Sequence, residues 1–136
     1  MHSFILRLKD GSKFKIDFNF YPFPRIDLGK KYKNLNIDSL YDIAVNKVHT
    51  LFMNPRTKDY FDLYMIFKKT DFTWKRLISD AKAKFDWHID PLLLGAKLKK
   101  VTDILDLPKM LVPFDRKKME EFFLSEAKKL KKEILK

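Results

Sequence analysis

Apolar and polar positions alternate through the first twenty residues. Phe4, Leu6 and Leu8 fall on one side of an extended chain, with Ile5, Arg7 and Lys9 on the other. Asp10-Gly11 is a turn pair. A second alternating run sets Phe14, Ile16, Phe18 and Phe20 against Lys13, Lys15, Asp17 and Asn19. This pattern predicts a β-hairpin that ends at Pro22 and Pro24, followed by a basic loop from Gly29 to Asn36. From residue 37 the period becomes helical. Asp38 or Ser39 offers a capping oxygen for a helix to about Met53; Asn54-Pro55 breaks it, and a second helix runs over about 58–69. A third, over roughly 73–86, gathers Trp74, Leu77, Ile78, Ala81 and Phe85 on one stripe. Residues 91–105 read as helical but loosely patterned. A last helix from about Asp115 carries Met119, Phe122, Phe123, Ala127, Leu130 and Ile134 on one face. Strands first and helices afterwards predict an α+β fold, a short antiparallel sheet packed by about five helices. The length suits one domain over 1–136, with the hairpin and basic loop in 1–36 and the helical part in 37–136.

Composition narrows the function classes. Thirteen phenylalanines and five tyrosines argue for a packed core rather than disorder. No run approaches the roughly 20 apolar residues of a membrane span, and the first residues do not read as a signal peptide. The absence of cysteine excludes disulfide frameworks and thiolate zinc sites, and fits a cytoplasmic protein. The net charge of +11 calls for an acidic partner, and its distribution is uneven. Residues 1–37 carry +5, residues 38–72 are neutral with five bases and five acids, and residues 73–136 carry +6. An acid-rich centre therefore lies between two basic flanks, a frame suited to a phosphate or metal site.

Three places break the hydrophobic pattern. Lys47 projects from the middle of the stripe Leu40, Ile43, Ala44, Val48 and Leu51, where an ammonium needs an anionic partner. Asp59 and Asp62 share one face of a second helix that is otherwise rich in Tyr, Phe, Leu, Met and Ile. Asp17 stands on the polar face of a strand, where an exposed carboxylate is the ordinary reading. His2, His49 and His88 lack metal-ligand spacing and read as structural or surface groups. Three scattered glycines build no phosphate-cradling loop, and no serine, histidine and acid grouping suggests acyl transfer.

The run IDSLYDIAVNKVHTLFMNPRTKDYFDLYMIFKK, residues 37–69, resembles the AbiEii nucleotidyltransferase toxin family. The family shows a helix of the form sleDlaanKlhAL, then an arginine, then RDxxDLy. Asp42, Lys47, His49, Leu51, Arg56, Lys58-Asp59 and Asp62-Leu63-Tyr64 stand in that order here. Upstream, KFKIDFN resembles the strand bearing the family's third carboxylate, which falls on Asp17. Downstream, LPKMLVPFDRKKMEEFF resembles its closing segment. The similarity covers roughly residues 13–130. It departs in two places: Arg56 is displaced and the usual hydroxyl residue before it is absent, and Gly11-Ser12 precedes Asp17 by only five positions, with Asn19 where a second aspartate belongs.

The resemblance implies a polymerase-β-type nucleotidyltransferase. It further implies the C-terminal part of one, a split, truncated or degenerate toxin that lacks the Gly-Ser and Asp-x-Asp motif and is catalytically incomplete alone. Asp17 would be the metal-binding carboxylate that helps deprotonate the attacking hydroxyl, Lys47 a nucleotide phosphate ligand with Arg56, and Asp59 and Asp62 the groups that position that lysine, the metal region or the acceptor. Magnesium and a nucleoside triphosphate are the implied cofactors, and RNA, notably tRNA, the implied acceptor. An antitoxin is an implied partner. Either a complementary N-terminal half or a homodimer would complete the sheet. The alternative from a different class is a non-catalytic basic module that binds nucleic acid or an antitoxin.

Overall fold

Two small hairpins and five α-helices follow one another in the computed structural model, which describes residues 1–106 and 110–134. Strands β1 (His2–Arg7) and β2 (Lys13–Phe18) pair antiparallel, Phe4 opposite Ile16 and Leu6 opposite Phe14. Gly11 turns between them at φ +82°, a conformation that costs a residue without Cβ nothing. The expected basic loop is instead a second, minute hairpin, β3 (Lys31–Tyr32) with β4 (Leu35–Asn36). Its two-residue turn is Lys33-Asn34; Lys33 stands at φ 53°, a conformation that Asn or Gly takes more readily, so the turn signal there is weak.

The helices are α1 (Leu40–Thr50), α2 (Thr57–Lys69), α3 (Trp74–Phe85), α4 (Pro91–Lys99) and α5 (Arg116–Ile134), with a 3-10 turn at Lys100–Thr102. Ser39 caps α1 by accepting the Asp42 N–H, and Thr73 caps α3 by accepting that of Arg76. Asp90 caps α4, whose first residue is Pro91. Helix α1 packs against both α2 and α3, while α4 and α5 pair and close on α2. Ala44, Val45, Val48, Leu51, Tyr60, Leu63, Leu77, Leu98, Met119 and Phe123 form the core between them. Of the closing segment, Leu107, Pro108 and Lys109 lie outside the described residues, as does the side chain of Ile134.

The architecture is α+β, as the order of periods predicts. The relation of its parts is different. The helices spend their apolar stripes on one another, and neither strand of the first hairpin packs extensively on any of them. Phe4, Leu6, Phe14 and Phe18 stay exposed. The Pro22-Phe23-Pro24 segment, with φ fixed at both prolines, carries the chain from the hairpin to the helices. Contact begins there: Phe23 meets Phe85 edge to face, and the Tyr21 hydroxyl donates to Asn46. No helix among the described residues is long and apolar enough to cross a membrane.

Candidate functional site

Helices α1 and α2 lie side by side, which brings Lys47 over the first turn and a half of α2. The Lys47 ammonium is 2.7 Å from Asp59 Oδ1 and 2.6 Å from Asp62 Oδ2. Lys47 is not at the centre of the buried stripe. That stripe runs through Tyr41, Ala44, Val45 and Val48, because α1 is covered from two sides, and Lys47 borders it with its side chain 20% exposed. Burial works against its charge, but the hydrogen bonds it donates to Asp59 and Asp62 prevail and hold its pKa above the ordinary lysine value.

The two carboxylates are unequal. Asp59 is buried, its side chain 6% exposed, and its second oxygen accepts the Arg56 N–H at 2.9 Å. It thus fixes the start of α2 and the lysine at once. Burial raises its pKa, but Lys47 and the Arg56 N–H outweigh that and keep it below the usual aspartate range. Asp62, one helical turn on, is 41% exposed. It borders an open groove of about 390 Å³ lined by Leu40, Ile43, Met65, Ile66 and Lys69. The start of α2 is pinned a second way: Asp106 accepts the Thr57 N–H at 2.9 Å and its hydroxyl at 2.9 Å. The Arg56 side chain itself is exposed.

Asp17 lies elsewhere. It is on β2, bound by the Ser3 hydroxyl and by the Lys15 ammonium at 3.0 Å, and these partners lower its pKa. It is not among the groups paired with Lys47. Gly11-Ser12 is spent on the hairpin turn, where Asp10 accepts both the Ser12 N–H and its hydroxyl. Among the described residues no group of three or more His, Cys, Asp or Glu side chains is placed to hold a metal. A two-ion centre needs several converging carboxylates, so these residues alone do not make one.

A second ion pair escapes the pattern reading altogether. Lys84 donates to Asp42 Oδ1 at 2.7 Å, and the two side chains are 1% and 0% exposed. Asp42 also accepts the N–H groups of Ile26 and Asp27, both at 3.2 Å, tying the segment after the first hairpin onto α1 and α3. A signal was available: Lys84 follows Leu77 by seven positions on the same stripe as Trp74 and Ala81, the anomaly that Lys47 presents on α1. His49 is structural, stacked on the Phe85 ring at 3.9 Å and edge-on to Trp87, and burial lowers its pKa.

Fold and site together define an α+β protein whose polar centre is a lysine clamped by two aspartates of the neighbouring helix. Residues 3–133 match the family model described as nucleotidyl transferase AbiEii toxin, type IV TA system, and the chain belongs to that family. No curated protein and no solved structure matches it. The family is one of nucleotidyltransferase-type toxins, and a type IV system pairs the toxin with an antitoxin.

Proposed function

We propose that this chain is the C-terminal part of an AbiEii-type nucleotidyltransferase and holds the triphosphate of a nucleotide through Lys47. The observation that carries this reading is the asymmetry of the clamp. Asp59 is buried and committed to the Arg56 N–H, whereas Asp62 is exposed and free to turn away. An incoming phosphate takes the place of Asp62 on the ammonium, and Asp59 keeps the lysine aimed. The groove beside Asp62, with Leu40, Ile43 and Met65 along it, offers an apolar seat for the base. Arg56, exposed at the start of α2, is a second cation for the phosphates. Asp17 is the one carboxylate offered to magnesium, and the other ligands come from a segment carrying the Gly-Ser and Asp-x-Asp motif. The basic flanks hold an RNA acceptor, of which tRNA is one, and transfer awaits completion of the site. An antitoxin is the expected regulator. A second copy or a complementary chain is the expected structural partner.

The second reading, a non-catalytic basic module for nucleic acid or an antitoxin, is favoured by the net charge of +11, carried on the two basic flanks. Equilibrium binding of a nucleoside triphosphate separates the two. In the first reading Lys47→Ala loses at least about tenfold in affinity, roughly 1.4 kcal/mol, and Lys58→Ala, on the exposed first turn of α2, loses little. Equal small losses from both substitutions would mean that only total charge matters.

A further inference from the structure

The apolar face of the first hairpin is exposed: Phe4, Leu6, Phe14 and Phe18 are each about half open to solvent. In the β1–β2 register Phe4 faces Ile16 and Leu6 faces Phe14, and directly opposed residues share a face of the sheet. Phe18 joins them, its ring 5.8 Å from that of Phe4. Arg7, Lys13, Lys15 and Asp17 all fall on the other face, where Lys15 and Asp17 pair. The ribbon therefore has one face of apolar side chains, with His2 opposite Phe18 at its end, and one that is predominantly basic. A two-stranded hairpin is marginal in water unless its apolar face is covered, and among the described residues no helix packs extensively on it.

We infer that a second copy of this chain covers the face, the two hairpins stacking apolar side to apolar side about a two-fold axis. Three features favour a twin over other occupants. The face is self-complementary, so one patch serves both copies in a closed dimer. Stacked sheets lie about 10 Å apart, so the two basic faces point away from each other and no charge of the ladder is buried. The area is also sufficient. Phe4, Leu6, Leu8, Phe14 and Phe18 are each between 46% and 59% exposed. On a scale of roughly 200 Å² for an aromatic side chain they present about 500 Å² per copy. The pair would thus cover about 1,000 Å², the lower end of what a specific interface needs. The dimer does not rest on the nucleotide reading, and an apolar interface stands or falls without a phosphate ligand.

The chain has no cysteine, which makes the contact directly readable. Wild-type protein should give a dimer mass by light scattering at micromolar concentration. Ile16→Cys, at the centre of the apolar face, should form an intermolecular disulfide under mild oxidation, and Lys15→Cys, its neighbour on the opposite face, should not. Phe18→Glu should yield a monomer that keeps its helical circular dichroism, since the helical core does not depend on the hairpin. A monomer at high micromolar concentration overturns the inference. So does a dimer that crosslinks through Lys15→Cys, or one that survives Phe18→Glu. A chain that is monomeric alone but binds a separately supplied antitoxin or complementary fragment through the Ile16 face overturns it in favour of a heteromeric sheet.

Discussion

Removing Asp42 should destabilise this protein more than any other single change of a charged residue. In Asp42→Ala the Lys84 ammonium, 1% exposed, loses its counter-ion, and the Ile26 and Asp27 N–H groups lose their acceptor. Breaking a buried pair by deleting one partner costs about 3–5 kcal/mol. Each N–H left dry adds about 1–3 kcal/mol unless the segment lifts into water. Total stability of such a domain is about 5–15 kcal/mol, so the variant should be at the edge of folding. Lys84→Met should cost less, because Asp42 keeps two backbone donors and the methionine fills the space. The double variant Asp42→Asn, Lys84→Met should recover much of the loss of Asp42→Asn alone, a coupling of about 2 kcal/mol. Urea unfolding followed by circular dichroism measures all four. An Asp42→Ala loss below about 1 kcal/mol, the range of exposed pairs, would refute the burial argument.

Two further outcomes follow from the same contacts. Gly29→Ala would place a Cβ 1.7 Å from the Ile37 carbonyl oxygen, which forces the backbone apart at the start of α1; a loss of about 1–3 kcal/mol in the same urea assay is expected, and an unchanged midpoint would contradict it. Asp42 and Asp59 have lowered pKa values: in each, burial raises the pKa, but hydrogen bonds, from Lys84 to Asp42 and from Lys47 to Asp59, outweigh it. Their stabilisation is therefore complete above the unfolded aspartate value, about 3.9, and is lost as pH falls through the lower folded values, so the wild-type melting temperature should drop below about pH 4 and Asp42→Asn should flatten that drop.

The sequence made the helices legible because their apolar stripes repeat at 3.6 residues and their caps are ordinary: Ser39, Thr73 and Asp90 each stand where a short oxygen side chain is needed. The pairing of Lys47 with α2 was legible as well, since a cation read in the middle of an apolar stripe demands an anion, although the structure moves it to the border of that stripe. What stayed hidden depends on which faces meet. Alternation along β1 and β2 gives their register but not their cover, because the helices satisfy one another and leave the hairpin bare. Lys84 stands on the stripe of Trp74, Leu77 and Ala81, but nothing in the sequence says that α1 presents Asp42 to it. Asp17 shows a further limit: a motif-like strand names the residue but does not say that Ser3 and Lys15 are its partners in space.

The central claim is that the Lys47 ammonium is a phosphate ligand whose outer carboxylate gives way. Calorimetric titration of inorganic tripolyphosphate into wild type, Lys47→Ala and Asp62→Asn tests it without base or acceptor. Deleting a negative charge 2.6 Å from the ammonium should tighten binding about tenfold in Asp62→Asn, while Lys47→Ala should abolish the saturable site. Equal affinities in all three proteins would contradict the account and leave the clamp as a purely structural tie between α1 and α2.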